Sequence, residues 1–215
     1  MKKIMLLGGT GGLGKELQKL LEKKYHVYAI GSKLDVTNFQ SLQRWFHVNE
    51  YDVVINLSGY NYDCMLHKYD EESIYEAEKQ LKVNSLGNIN LLSSVLPGMR
   101  KREYGRIILV SSVLATKPVM GTGVYSASKA FIDNLVKTAS LENSSKGITC
   151  NSIQLGYFDA GMAHKIPKEY QDKLKNKIPL RRFGKINELY NTIEFIINTE
   201  YVNGSNIKIN GGLEF

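Results

Sequence analysis

The sequence predicts an α/β protein: one domain over residues 1–215, built as a doubly wound parallel sheet with helices on both faces. Three observations carry this expectation. Short apolar runs alternate along the chain with stretches whose apolar residues recur at helical spacing. The runs are near-continuous, as strands covered on both faces should be. The first run ends in a glycine cluster, Gly8-Gly9-Thr10-Gly11-Gly12-Leu13-Gly14, that turns a strand into a helix.

Taken in order, residues 3–7 form the first strand. Leu13, Leu17, Leu20 and Leu21 then mark one face of a helix, and Val27-Tyr28-Ala29-Ile30 closes a strand–helix–strand unit. Residues 52–57, 106–111 and 148–153 read as further buried strands, with helices at 39–47, 73–96 and 124–144 between them. Residues 185–198 read as a last helix and 206–209 as a last strand. After Ile30 the chain reaches Asp35-Val36 almost at once, too soon for a crossover helix and a further parallel strand. A third strand and its preceding helix are therefore expected to be reduced or absent.

With 215 residues, 43% hydrophobic and 23% charged, the chain can bury a core; a disordered chain, collagen and a small disulfide scaffold are excluded. Cys64 and Cys150 make neither a disulfide framework nor a zinc spacing, and the four histidines share no pattern, so no metal site is expected. Together with apolar runs too short to span a bilayer, and no signal peptide after Met1, this points to the cytoplasm and away from membranes. The net charge of +7 is spread along helices with no nucleic-acid motif beside it, so nucleic acid is not an expected partner. That charge reads first as a lysine-rich solvated surface, and otherwise would suit a phosphate-bearing cofactor or an acidic carrier protein.

Two constellations carry chemistry. The glycine cluster lets the backbone approach a pyrophosphate, and the following helix presents free N–H groups and its positive dipole end. The second is Tyr125-Ser126-Ala127-Ser128-Lys129, with Ser112 thirteen residues before the tyrosine. Tyr125 and Lys129 are four apart, on one helix face. A lysine cation there is expected to lower the tyrosine pKa from its ordinary value near 10, making the phenol a usable acid–base group. Ser112, ending a neighbouring strand, could hold a carbonyl oxygen while the tyrosine delivers a proton.

These motifs resemble the short-chain dehydrogenase/reductase family over essentially the whole chain. Gly8, Gly12 and Gly14 match its GxxxGxG, Asn56-Leu57-Ser58-Gly59 its Asn-Asn-Ala-Gly, and Asn84 its mid-helix asparagine. Ser111-Ser112, Tyr125 to Lys129, and Leu155-Gly156-Tyr157-Phe158 fall at its serine pair, YxxxK and Pro-Gly segments. The resemblance implies a Rossmann-like fold and reversible hydride transfer between a nicotinamide cofactor and a carbonyl or alcohol. It makes Tyr125 the acid–base residue, with Ser112 positioning the substrate oxygen. Lys129 then binds the nicotinamide ribose, and Asn84 supports a proton-relay water. The implied cofactor site comprises Gly8, Thr10, Gly11, Gly12, Leu13, Gly14, Ser32, Lys33, Asp35, Val36, Asn56, Leu57, Ser58, Gly59, Tyr125, Lys129, Gly156 and Phe158. Asp35 is read as the family's adenine-side aspartate. Ser32 and Lys33 are then the strand-end residues, which favours NADP(H) over NAD(H). The family pattern is departed from at Leu7, Leu155 and Ala160.

Within the family, Tyr62-Asp63-Cys64-Met65-Leu66 and the stretch 178–184 are similar to 3-oxoacyl-[acyl-carrier-protein] reductases. That implies a ketoreductase whose substrate is a small or carrier-bound carbonyl, and an acidic acyl carrier protein as partner. It further implies a substrate lid over residues 162–180, and a homotetramer or homodimer using the helices at 73–96 and 124–144. Two other readings stand beside it: a reductase or dehydrogenase of another small carbonyl, such as a sugar or cyclitol, and a cofactor-sensing or scaffold protein without turnover. Intact Ser112, Tyr125 and Lys129 speak against the last.

Overall fold

Six strands hydrogen-bond side by side and all in parallel: β1 (Lys3–Leu7), β2 (His26–Ile30), β3 (Val53–Asn56), β4 (Gly105–Ser112), β5 (Ile148–Leu155) and β6 (Asn206–Ile209). Their order is β2-β1-β3-β4-β5-β6. The structure is a computed structural model and describes residues 1–160 and 167–213.

Because successive strand residues point to opposite faces, each apolar run feeds two cores. Met5, Leu7, Ile107 and Leu109 face one side, where α2 (Phe39–Val48), α4 (Gly87–Arg102) and α5 (Gly123–Asn143) cover them. Ile4, Leu6, Ile108 and Ile153 face the other, under α1 (Gly12–Leu21) and α7 (Ile186–Asn198). α3 (Glu71–Leu81) packs against α5, and α6 (Lys168–Lys177) lies in the chain between β5 and α7.

The sheet runs outward from β1 to β2, then crosses back to β3 on the other side of β1. That reversal opens a crevice at the C-terminal ends of β1 and β3, the place where such sheets bind ligands. The third strand, expected to be reduced or absent, is absent altogether. Residues 31–38 pass directly from β2 to α2, leaving β2 as the sheet edge. Leu34 and Val36 plug the first core along this short path, and Asn38 caps α2 by accepting the Ser41 N–H at 2.9 Å.

The helix expected over 73–96 is two helices. α3 and α4 are joined by a π-helical turn, Lys82–Leu86, centred on Asn84. There the Asn88 side chain donates to the Asn84 carbonyl at 2.7 Å. Strands β4 and β5 each run further than the apolar pattern indicates, to Ser112 and Leu155, which are register partners.

Candidate functional site

The glycine turn after β1 is held by close backbone packing. Gly8 has φ +73°, and a Cβ there would stand 2.9 Å from the main chain of Leu57 and Ser58. A Cβ on Gly14 would stand 2.5 Å from the Gly8 carbonyl, so α1 can sit on the turn only without one. Thr10, Gly11 and Gly12 remain exposed, and α1 starts with neither a side-chain cap nor an acid in its first turn. An open, positive helix start beside a crevice fits a dinucleotide pyrophosphate. Leu13 packs toward the second core and offers that ligand only its main chain.

On the far side of the turn, Ser32, Lys33 and Asp35 are exposed, and the Asp35 carboxylate accepts the Thr37 N–H at 2.8 Å. Val36 leaves only its main chain for the expected cofactor lining. Its side chain is buried in the first core, because the missing strand leaves that core to be closed by residues 34 and 36. Its carbonyl accepts from the Asn90 amide at 3.0 Å.

Asparagines fix the loop after β3. Asn56 donates to Asn88 Oδ1 at 2.8 Å and accepts the Ser58 N–H at 3.0 Å. Asn84 binds both main-chain groups of Tyr60, accepting from its N–H and donating to its carbonyl, each at 2.8 Å. It also donates to Ser128 Oγ at 3.1 Å. A Cβ on Gly59 would lie 3.6 Å from both Asn84 Oδ1 and Lys129 Nζ, so these three groups face one space.

Ser112 ends β4, and its hydroxyl accepts the Leu114 N–H at 3.2 Å and hydrogen-bonds to Tyr125. Tyr125 stands in the first turn of α5, with Lys129 one turn on. The Ser111 hydroxyl donates to the Lys129 carbonyl at 3.1 Å and ties α5 to β4. Ser112, Tyr125 and Lys129 are thus brought together, with Asn84 and Gly59 opposite.

The expected direction of the tyrosine shift is overturned. Burial pushes the Tyr125 phenol above its ordinary value; the Ser112 hydrogen bond pulls it down, and the Asp63 carboxylate adds to the rise. Lys129 does not offset this, because its Nζ turns to the Val110 carbonyl at 2.9 Å and sits 5.7 Å from the tyrosine ring centre. Burial in turn pulls the Lys129 ammonium down to about 8, against the opposing pull of Asp133.

The mouth of the site is built by residues to which the motifs assign no role. Tyr157 and Asp63 both couple electrostatically to Tyr125. Glu76 accepts from the Tyr60 hydroxyl, while Gln80 accepts the Tyr62 N–H at 2.5 Å. Ser73, Glu76, Gln80 and Asn84 recur every three or four residues, so one helix stripe holds the whole 60–62 loop. That polar periodicity was the signal available in the sequence. Gly156 donates to the Ile209 carbonyl at 2.9 Å, locking the ends of β5 and β6. The ring of Phe158 lies against Gly184 in the second core, where a main-chain bridge between those residues holds it, so only its main chain is left for the crevice.

A cavity of about 250 Å³ opens beside Tyr157, between Arg182, Glu188, Lys208 and Asn210. Of the expected lid, residues 162–166 lie outside the described residues, and α6 and the 178–180 segment make up the rest. Among the described residues, no group of three His, Cys, Asp or Glu could hold a metal ion, and no helix is long and apolar enough to cross a membrane.

Residues 8–214 match the family model described as enoyl-(acyl carrier protein) reductase. The 3-oxoacyl-[acyl-carrier-protein] reductase of Aquifex aeolicus is 27% identical over 217 residues, covering 98% of this chain and 86% of that one. The acetoacetyl-CoA reductase of Shinella zoogloeoides is 34% identical over 167 residues, covering 76% and 68%. Among solved structures, ElxO with NADP bound superposes with a TM-score of 0.88 at 22% identity, covering 99% of each chain. The chain therefore belongs to the short-chain dehydrogenase/reductases, oxidoreductases that act on CH–OH or C=O groups with NAD(P).

Proposed function

We propose that this protein is an NADPH-dependent ketoreductase, and that its substrate is most simply a 3-oxoacyl thioester. The observation that carries the reaction is the convergence of Ser112, Tyr125 and Lys129 beside Gly59 and Asn84, at the crevice where a dinucleotide fits. When bound, the cofactor supplies the hydride. The rest falls on the chain. Ser112 donates a hydrogen bond to the substrate carbonyl oxygen and orients it. Tyr125 transfers its phenolic proton to that oxygen as the carbon is reduced, so the product is an alcohol. A phenol held above its ordinary pKa is fully protonated at neutral pH and ready for this direction. Lys129 places a cation beside the phenolate that forms, and its depressed pKa brings proton exchange within reach of neutral pH. Asn84 anchors the Tyr60 loop and supports the water that returns a proton.

Holding the cofactor falls to the turn 8–14, the 56–59 loop and the main chain at 156–158. Preference for NADPH rests on Ser32 and Lys33, an exposed hydroxyl and ammonium at the end of β2, and is supported by ElxO with NADP bound. The acyl reading is supported by the relatives' names and by an apolar rim at the mouth. Leu66 is 78% and Met120 88% exposed, on loops joined by the Cys64 N–H donating to the Gly121 carbonyl at 2.9 Å. An acyl chain would cover that surface. An acidic carrier would suit the +7 charge, and exposed Ile89 and Phe131 on α4 and α5 suit a homo-oligomer.

The test is initial-rate NADPH and NADH oxidation with acetoacetyl thioesters, simple diketones and keto-sugars. Thioester turnover preferring NADPH is expected. Turnover of a keto-sugar alone would replace the acyl substrate by another small carbonyl, and no turnover of any carbonyl would remove the reading.

A further inference from the structure

Gln80 of α3 is 0% exposed, yet only half of its side-chain amide is used. Its Oε1 accepts the Tyr62 N–H at 2.5 Å. Its Nε2 has no partner among the described residues. A buried amide donor without an acceptor costs stability, and a leucine in its place would carry no such cost. A polar side chain kept there at a loss is kept for the bond it does make. That bond goes to a segment with a defined place in the site. Residues 59–64 run from Gly59, which shares one space with Asn84 and Lys129, to Cys64, whose N–H donates to the Gly121 carbonyl at 2.9 Å. Gly121 stands just before α5, which carries Tyr125 in its first turn. The segment is thus a strap across the mouth, from the α3 side to the turn that leads into α5.

We propose that Gln80 is a positioning residue for the substrate: its buried carboxamide oxygen holds the middle of the strap 59–64 and so fixes the width of the mouth. The other ties leave that middle free. Asn84 binds the main chain of Tyr60 alone, and Glu76 takes the Tyr60 hydroxyl. Ser73 meets the Tyr62 hydroxyl at 3.2 Å, at the tip of a rotatable side chain. Between Tyr60 and Cys64, the Tyr62 N–H is the one main-chain group with a hydrogen-bond partner among the described residues. Without Gln80 the strap is tied by its main chain only at those two ends. The reacting set is held elsewhere. Ser112 accepts from the Leu114 N–H, Ser111 binds the Lys129 carbonyl, and the Lys129 ammonium sits on Val110, all within β4, α5 and the turn between them. A loosened strap should therefore weaken substrate binding and leave the chemical step alone. Being fully buried, Gln80 itself touches no substrate.

The experiment compares Gln80→Leu and Gln80→Glu with the parent by acetoacetyl-thioester kinetics, thermal unfolding, and NMR hydrogen exchange of the Tyr62 amide. Losing one neutral hydrogen bond should lower the population of the held strap about five- to tenfold. Gln80→Leu is expected to raise KM for the thioester, and to quicken Tyr62 exchange, by about that factor. Its kcat and NADPH affinity should stay near the parent's, and its Tm should hold or rise as the unpaired amide is removed. Gln80→Glu keeps an acceptor oxygen at the same reach and should restore both KM and exchange. A lower Tm with KM unmoved would make Gln80 a purely structural residue and overturn the proposal, as would equal KM and exchange defects in both variants. The effect on KM rests on the ketoreductase reading. If the wild type reduces no carbonyl, that reading falls, while the exchange comparison still decides the clamp. Should neither variant fold, the parent's own Tyr62 amide decides. Exchange at least about tenfold slower than in an unprotected amide is expected, and exchange at the unprotected rate overturns the proposal.

Discussion

The Lys129 ammonium donates to the main-chain carbonyl of Val110 at 2.9 Å, so the lysine of the YxxxK motif is anchored by the sheet and not by its tyrosine. The bond spans from α5 to β4 and fixes the lysine within a buried setting where its charge is expensive.

Stability should show this cost. The Lys129 pKa falls from 10.5 to about 8 on folding. Between those values the unfolded chain holds a proton that the folded chain has released, so stability rises with pH across that window. The gain is about 3 kcal/mol at full extent. Lys129→Met should flatten this component, and denaturant unfolding of both proteins below and above the window measures it. The difference between the two curves separates Lys129 from Cys150, which acts in the opposite sense: its folded pKa is raised from 9.0 to about 12, so its contribution falls as pH rises through that range.

Gly14→Ala should lose both stability and cofactor affinity. The added Cβ would lie 2.5 Å from the Gly8 carbonyl and 2.6 Å from Gly9 Cα, both main-chain atoms that cannot swing aside. A loss of about 1–3 kcal/mol is expected from such overpacking. Thermal unfolding and NADPH titration of the same sample check both effects.

Lys33→Ala should raise KM for NADPH about tenfold and leave KM for NADH nearly unchanged, since a charge-assisted bond to a phosphate is lost only with the phosphorylated cofactor. Equal effects on both cofactors would place the 2′-phosphate elsewhere.

Much of this architecture was legible in the sequence because the motifs sit at strand ends. The glycine cluster after residues 3–7, and the serine before Tyr125, each announce a strand and its functional tip. The missing third strand was legible as well, from the short distance between Ile30 and Asp35. The break in the 73–96 helix was not. Buried positions continue at helical spacing through the π-turn, from Ala77 and Gln80 to Asn84, Asn88 and Leu91, so periodicity does not mark the break. Nor could spacing foretell where Lys129 points: residues four apart share a face, but the Val110 carbonyl on another element takes the ammonium. For a related reason spacing did not show that the side chains of Val36 and Phe158 each complete a core.

The central claim is that Tyr125 carries the proton, and Tyr125→Phe tests it most directly. With NADPH and an acceptor the wild type reduces, turnover should fall about a thousandfold while NADPH binds as tightly as before. A variant that keeps its turnover would contradict the account.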